Sequence, residues 1–234
     1  MAKLTRKDMK SDKFALEVQH SVEFVSEHRR QVARWGGVAL ALIVVIIAVT
    51  IYRRHERDLR QGALHSAMEI QNANIGAPTT EFVVSFPTAE ARTKAVQKAF
   101  SDLVAKYSGT DEGTIAEFFL GTNAADTGNL AEAEKHFKTV ADSGRGPYDS
   151  VAKLSLAQIY GAEGKVADGE KLIQSVIDHP TVLVSKEEAT IALGELVMAK
   201  DPQRARKLLE PLRSSTRSSV SKAAITAVSN IPQK

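Results

Sequence analysis

The sequence predicts an all-α chain, with a single N-terminal transmembrane helix followed by a solenoid of stacked helical hairpins. Three observations carry that expectation. Residues 35–52 hold no charged side chain. Most of the remaining chain places apolar residues at spacings of three and four, interrupted by Gly and Pro, which is the pattern of amphipathic helices. Finally, the stretch LGTNAADTGNLAEAEKHFKTV at 120–140 returns 36 residues later as LAQIYGAEGKVADGEKLIQSV at 156–176. The two share Leu120/Leu156, Gly128/Gly164, Ala131/Ala167, Glu134/Glu170, Lys135/Lys171 and Val140/Val176. Ordinary composition gives roughly one or two such identities over that length, so the chain repeats itself.

The totals narrow the function classes. A chain of 234 residues, 43% apolar and 25% charged, is long enough for one or two domains with a real core. It contains no cysteine, which excludes disulfide staples, thiolate metal centres, a cysteine nucleophile and a lipid anchor on cysteine. The net charge of +3 is unevenly divided: residues 1–60 carry 12 Lys and Arg against 7 Asp and Glu, whereas residues 61–234 carry 19 against 21. The basic character therefore crowds the apolar segment and not the folded part. A nucleic-acid-binding domain would show the reverse, so no nucleic-acid partner is expected.

Taken in order, residues 1–34 read as a cytoplasmic tail with an amphipathic helix, its Phe14, Val18, Val22, Val25 and Val32 alternating with Glu17, Glu23, Glu27 and Arg30. Residues 35–52, WGGVALALIVVIIAVTIY, form the span. As a helix these positions cover about 27 Å, close to the ~30 Å hydrocarbon core. Trp35 and Tyr52 fall at its two ends, where amphipathic rings settle, and Arg34, Arg53 and Arg54 flank them with guanidinium groups that reach headgroups. The segment is too long and too far from the start for the apolar core of a cleaved leader, so it reads as a retained signal anchor. Gly37 and Ala41 offer a small-residue face for packing in lipid. Flanking charge leaves the orientation open, with three Lys or Arg before the span and four after it. The additional Lys3, Arg6, Lys7, Lys10 and Lys13 tilt the balance towards a cytoplasmic N-terminus.

Residues 53–234 are expected to form a helical repeat domain. The helical pattern continues over 56–74, followed by a loop, IGAPTTEFVVSFPT, in which Gly76, Pro78 and Pro87 break helices. Its Phe82, Val83, Val84 and Phe86 would suit a short strand, but one isolated strand is marginal, so an ordered loop packing its aromatics down is expected. Val96, Phe100, Leu103, Val104 and Tyr107 form an apolar stripe that ends at Ser108-Gly109. Three hairpins follow, at about 112–142, 148–178 and 185–213, and a Ser- and Ala-rich helix at 217–229 caps the array.

At the hairpins a resemblance emerges. The pattern resembles the tetratricopeptide repeat (TPR): Leu120, Gly121, Ala124, Gly128, Ala133 and Phe137 in the first, Leu156, Ala157, Tyr160, Gly164, Gly169 and Ile173 in the second, Leu193, Gly194 and Val197 in the third. The repeat Trp is missing, the period is 36, and Asp201-Pro202 replaces the third turn glycine. Small residues at Gly121/Ala157/Gly194 and Ala133/Gly169/Ala205 mark where paired helices approach most closely.

No catalytic signature appears. The six histidines are scattered, there is no H-E-x-x-H, G-x-S-x-G or phosphate loop, and Glu187-Glu188 sit at a helix start, where carboxylates suit the dipole. The expectation is no enzyme, no cofactor, no metal and no small-molecule substrate. Binding is expected on the first helix of each hairpin, on the face rotated from the packing side, where Phe118, Thr122 and Ala125 lie. The candidate partner groove is Ile115 and Phe118, then Val151, Leu154 and Gln158, then Ile191, Glu195 and Met198. The same residues would be ordinary core if neighbouring helices covered them, and both readings stand at this point.

The arrangement as a whole, with FVSEHRRQVARWGG and AVQKAFSDLVAKYSGT…AEFFLG as its best-fitting stretches, resembles the ancillary SecYEG translocon subunit family, the YfgM-type TPR-like proteins of bacterial inner membranes. The resemblance implies a single-pass inner-membrane protein with its N-terminus in the cytoplasm and its repeats in the periplasm. It implies a chaperone or assembly role, with translocon components, periplasmic folding factors and unfolded envelope proteins as partners, besides membrane lipid. A structural scaffold and an import receptor with cytosolic repeats are the rival readings.

Overall fold

The computed structural model describes residues 29–77 and 84–232; most of the expected amphipathic tail helix lies outside them. By internal contacts the chain divides into two units, Met1–Leu59 and Arg60–Lys234.

In the first unit the described residues belong to one helix, α1 (Arg29–Gln71), whose later part belongs to the second unit. It is long and apolar enough to cross a membrane, and none of its most apolar window is buried. Trp35 is 73% and Tyr52 65% exposed, and the Leu, Ile and Val side chains between them are exposed as well. A helical stretch apolar all round, as over residues 35–52, with its described side chains exposed, suits a lipid environment.

The second unit is helical. After the end of α1 come α2 (Ala89–Tyr107), α3 (Asp111–Asp126), α4 (Leu130–Ser143), α5 (Tyr148–Ala162), α6 (Val166–Asp178), α7 (Lys186–Val197), α8 (Pro202–Leu209) and α9 (Ser218–Ser229). The loop expected before α2 carries a small correction. Asn74–Ile75 (β1) and Ser85–Phe86 (β2) pair in parallel, with Asn74 opposite Ser85 and Ile75 opposite Phe86. The Gly76 N–H donates to the Phe86 carbonyl at 2.8 Å. The flanks of the loop thus satisfy each other's backbone, which neither does alone. Phe86 is half-buried and Val84 exposed, so the aromatic packing expected of this loop is only partial among its described residues.

Several helix starts are chemically specified. Thr88, Thr110, Asn129 and Asp201 each accept a backbone N–H three residues on, satisfying a donor that the first helical turn leaves open. Ser185 does the same for Glu188, and the Glu188 carboxylate reaches back to the Ser185 N–H at 2.8 Å, completing a capping box. These bonds, with the Ser185 hydroxyl and Arg217 adding to them, hold the Glu188 carboxyl below its ordinary range. Stability from a depressed acid is present above its unfolded pKa and lost as pH falls through the folded one. Ser185→Ala should therefore cost about 1 kcal/mol at neutral pH, and less in acid, as measured by denaturant unfolding of the full-length protein in detergent. The hairpin turns at Gly128 and Gly164 have φ of +80° and +78°, a region that glycine enters without steric cost.

The third hairpin, expected at 185–213, changes helix type near its end. Helix α8 stops at Leu209, and Glu210–Ser214 continues as a 3₁₀ turn. Pro211 is the cause, since it has no N–H to donate and its ring crowds the preceding carbonyls.

From α2 onward, successive helices pack side by side, and the first helices of neighbouring hairpins also touch. The core accordingly comes in three consecutive sections. Ala67, Val96, Phe100, Leu103, Tyr107, Ala116 and Leu120 make the first, around α1 to α3. Ala133, Phe137, Val140, Ala152, Leu156 and Ile159 make the second, between the first two hairpins. Ile173, Val176, Leu193, Val197, Leu209, Val220 and Ala224 anchor the third. Close approach depends on small residues: a Cβ on Gly121 would meet the Phe137 ring at 2.8 Å, and one on Gly169 would lie 3.0 Å from the Ala157 carbonyl oxygen. At the entry to the unit, Arg60 pairs with the buried Glu112 at 3.0 Å, and His136 Nδ1 lies 2.9 Å from a Glu117 oxygen, tying α4 to α3.

Candidate functional site

An apolar cleft lies between the first two hairpins, on the faces of α3 and α5. Phe118, Phe119, Thr122 and Ala125 line it from α3, Leu130 and Phe137 from α4, and Ser155, Gln158, Ile159 and Ala162 from α5, around a volume of about 470 Å³. The hollow follows from side-chain size. Thr122, Ala125, Ser155 and Ala162 are short, so the two helices contact at their backs and leave space in front.

An aromatic cluster forms one wall. The Phe118 ring lies 5.7 Å from Phe119 edge to face, 5.5 Å from Phe137 and 5.2 Å from Tyr148. Phe119 stacks at 5.1 Å on the fully buried Phe100. Interlocked rings of this kind hold the wall in one arrangement, each pair contributing about 0.5–1.5 kcal/mol beyond area burial. Phe137 and Ile159 are buried at the floor, while Leu130 and Gln158 are exposed at the rim. The lining is apolar with a few hydroxyl and amide groups, a surface for a side chain of another molecule.

The residues singled out from the sequence divide. Phe118 and Gln158 line the cleft, together with Thr122 and Ala125 of the same rotated face. Val151, Leu154 and Met198 are half-buried against the third core section, and Ile191 is buried within it. The physical reason is coverage: α7 packs on both α5 and α9, so its rotated face is interior and not a groove wall. Ile115 is half-buried on α3, outside the cleft lining. Glu195 is exposed, yet the helices around it partly desolvate its carboxylate, which raises its pKa above the ordinary value. Among the interfacial residues, Trp35, Tyr52, Arg34, Arg53 and Arg54 all lie exposed on α1.

The sequence reading missed Phe119, Leu130, Phe137, Ser155, Ile159 and Ala162 as cleft residues. The usable signal was the run of short side chains on facing helices, which marks a place where two helices cannot fill the space between them.

The comparisons with known proteins agree with this architecture at the level of the family. No curated protein and no solved structure matches the chain. The model of one family does, that of the tetratricopeptide repeat-like domain, over residues 32–207, from the apolar part of α1 to within α8. With three quarters of its length matched, hairpins stacked through small residues and a cleft between the first two, the chain belongs to the tetratricopeptide repeat-like domain family.

Proposed function

We propose that this protein is a membrane-anchored interaction protein that works by binding other proteins and not by catalysis, with the α3–α5 cleft as its partner site. TPR-like domains typically mediate protein–protein interactions. The observation that carries the reading is the combination of an exposed apolar helical stretch with a repeat unit that holds an aromatic and apolar cleft. The first feature supports a position at a bilayer; the second supports a role in holding a partner there.

The finer reading follows the family resemblance: a single-pass protein of a bacterial inner membrane, N-terminus in the cytoplasm, repeats in the periplasm, associated with the translocon as a chaperone or assembly factor for emerging envelope proteins. The Arg-flanked span supports the membrane part of this reading. An apolar cleft suits unfolded or extended segments, whose apolar side chains are still available. A scaffold that docks folded neighbours is the alternative.

The test places a photo-crosslinking amino acid at Leu130 and at Gln158, both exposed on the cleft rim, in the full-length protein in native membranes. Gln174, exposed on α6, serves as the control position. Adducts specific to the rim, containing translocon components or newly exported chains, support the proposal. Adducts only with folded complex partners support the scaffold, and equal labelling at Gln174 removes the cleft from consideration. Protease added to sealed membranes reads the orientation: digestion of the repeats from the cytosolic side overturns the periplasmic assignment.

A further inference from the structure

We propose that the turn between α6 and α7 is a second contact with the bilayer, through Val182 and Leu183; this rests on the reading of residues 35–52 as a span. Val182 is 91% exposed and Leu183 46%, the most exposed neighbouring pair of large apolar side chains among the described residues of the repeat unit. A freely moving loop would spread its cost of exposure over many conformations, but this one is clamped. The Thr181 N–H donates to the Val184 carbonyl at 2.9 Å, and Thr181 Oγ1 accepts the Val184 N–H at 3.2 Å. The Thr181 and Ser150 hydroxyls are 2.7 Å apart, with Ser150 itself 2% exposed and donating to the Pro147 carbonyl. Val184 is buried in the core. Two apolar side chains are thus held out on a rigid base.

The position of the turn identifies what covers it. In an antiparallel array, every link between one hairpin and the next lies at the same end. The contacts trace that end across the unit: Arg60 pairs with Glu112 at the start of α3. A small cavity brings Ser108 and Gly109 beside Ser143 and Arg145, Ser150 touches Thr181, and Arg217 meets Glu187 at the start of α7. Arg60 is also where the chain enters the unit, eight residues after Tyr52 in sequence. A link of that length reaches at most about 29 Å even fully extended. The end bearing Val182 is therefore the end whose tether keeps it within reach of lipid. The flanking charges are mixed, with Asp178 and His179 before the pair and Lys186 after it. Apolar insertion, and not electrostatic attraction, is accordingly the binding term.

The natural chain has no cysteine, so single reporters are readily introduced. Full-length Val182→Cys, Glu163→Cys and Ile47→Cys, each labelled with an environment-sensitive fluorophore, are placed in nanodiscs of phosphatidylcholine and phosphatidylglycerol. Glu163 sits at the opposite end, in the exposed turn after α5. Nitroxide-bearing lipid should quench the label at 182 severalfold more than the label at 163, and Val182→Asp/Leu183→Asp should abolish the blue shift of a label moved to His179, which is exposed and outside the clamp. A label at 182 that behaves like the one at 163, while the label at 47 is strongly quenched, overturns the turn contact and leaves the anchor intact. Protection of 182 from aqueous iodide without quenching by lipid reports a protein contact instead, and also overturns it. Absence of lipid quenching at 47 removes the anchor and this inference together.

Discussion

Gly113→Ala should destabilise the repeat unit by about 2–4 kcal/mol, the largest effect expected of any change this small. A Cβ at this position would sit 2.9 Å from the Tyr107 carbonyl carbon and closer still to its oxygen. Backbone cannot rotate away as a side-chain tip can. That carbonyl is also held in place, accepting the Thr110 N–H at 3.2 Å and the Thr110 hydroxyl at 2.7 Å. Thr110 in turn caps α3 through the Gly113 N–H itself. Making room for one methyl group therefore disturbs the α2–α3 corner and its cap at once. The control is the same substitution elsewhere: Gly62→Ala on α1, where nothing lies within 4 Å, should stabilise by about 0.5–1 kcal/mol through helix propensity alone. Unfolding of both full-length variants in detergent checks the pair. Equal midpoints would mean that the corner is not this tight.

The second large effect concerns Leu209 and Gly194. Leu209 is fully buried, and its three outer carbons lie 2.7–3.0 Å from where a Cβ on Gly194 would be. Leu209→Ala should cost about 2–5 kcal/mol, from lost transfer energy and the cavity left behind. Gly194→Ala alone should cost about 1–3 kcal/mol, because the leucine must move against close-packed neighbours. In the double variant the new methyl group enters the space that the leucine vacates. Its cost should then fall short of the sum of the singles by about 1 kcal/mol or more. Strict additivity would show that the two residues do not face each other.

Much of this architecture was legible in the residues. The glycine and alanine positions repeated at 36-residue spacing, and the structure puts Gly121, Gly169 and Gly194 where helices come closest. Those positions could be read because close packing leaves a mark on composition: only small residues fit. The end of α8 was less legible, since Pro211 lies within an apolar pattern that continues past it, and periodicity alone does not register a missing N–H. The two-residue ladder before α2 was hidden because it depends on backbone groups far apart in sequence, which no side-chain pattern reports. The cleft fell between these cases. Phe118 and Gln158 were found because their helix face could be computed from 100° per residue. Val151, Leu154, Ile191 and Met198 obeyed the same arithmetic but are covered, because α7 meets both α5 and α9. Which faces of a helix stay open is decided by its neighbours, and a single helix does not carry that information.

The three core sections have a consequence for how the protein is made. Each is assembled from segments adjacent in sequence, so contact order is low and no strand or helix must wait for a distant partner. A polypeptide delivered from its N-terminal end can bury α2 and α3 on the tail of α1 before the hairpins beyond have been synthesised. Every later hairpin then docks on a surface already in place, and vectorial folding of this kind keeps little greasy surface waiting at any one moment.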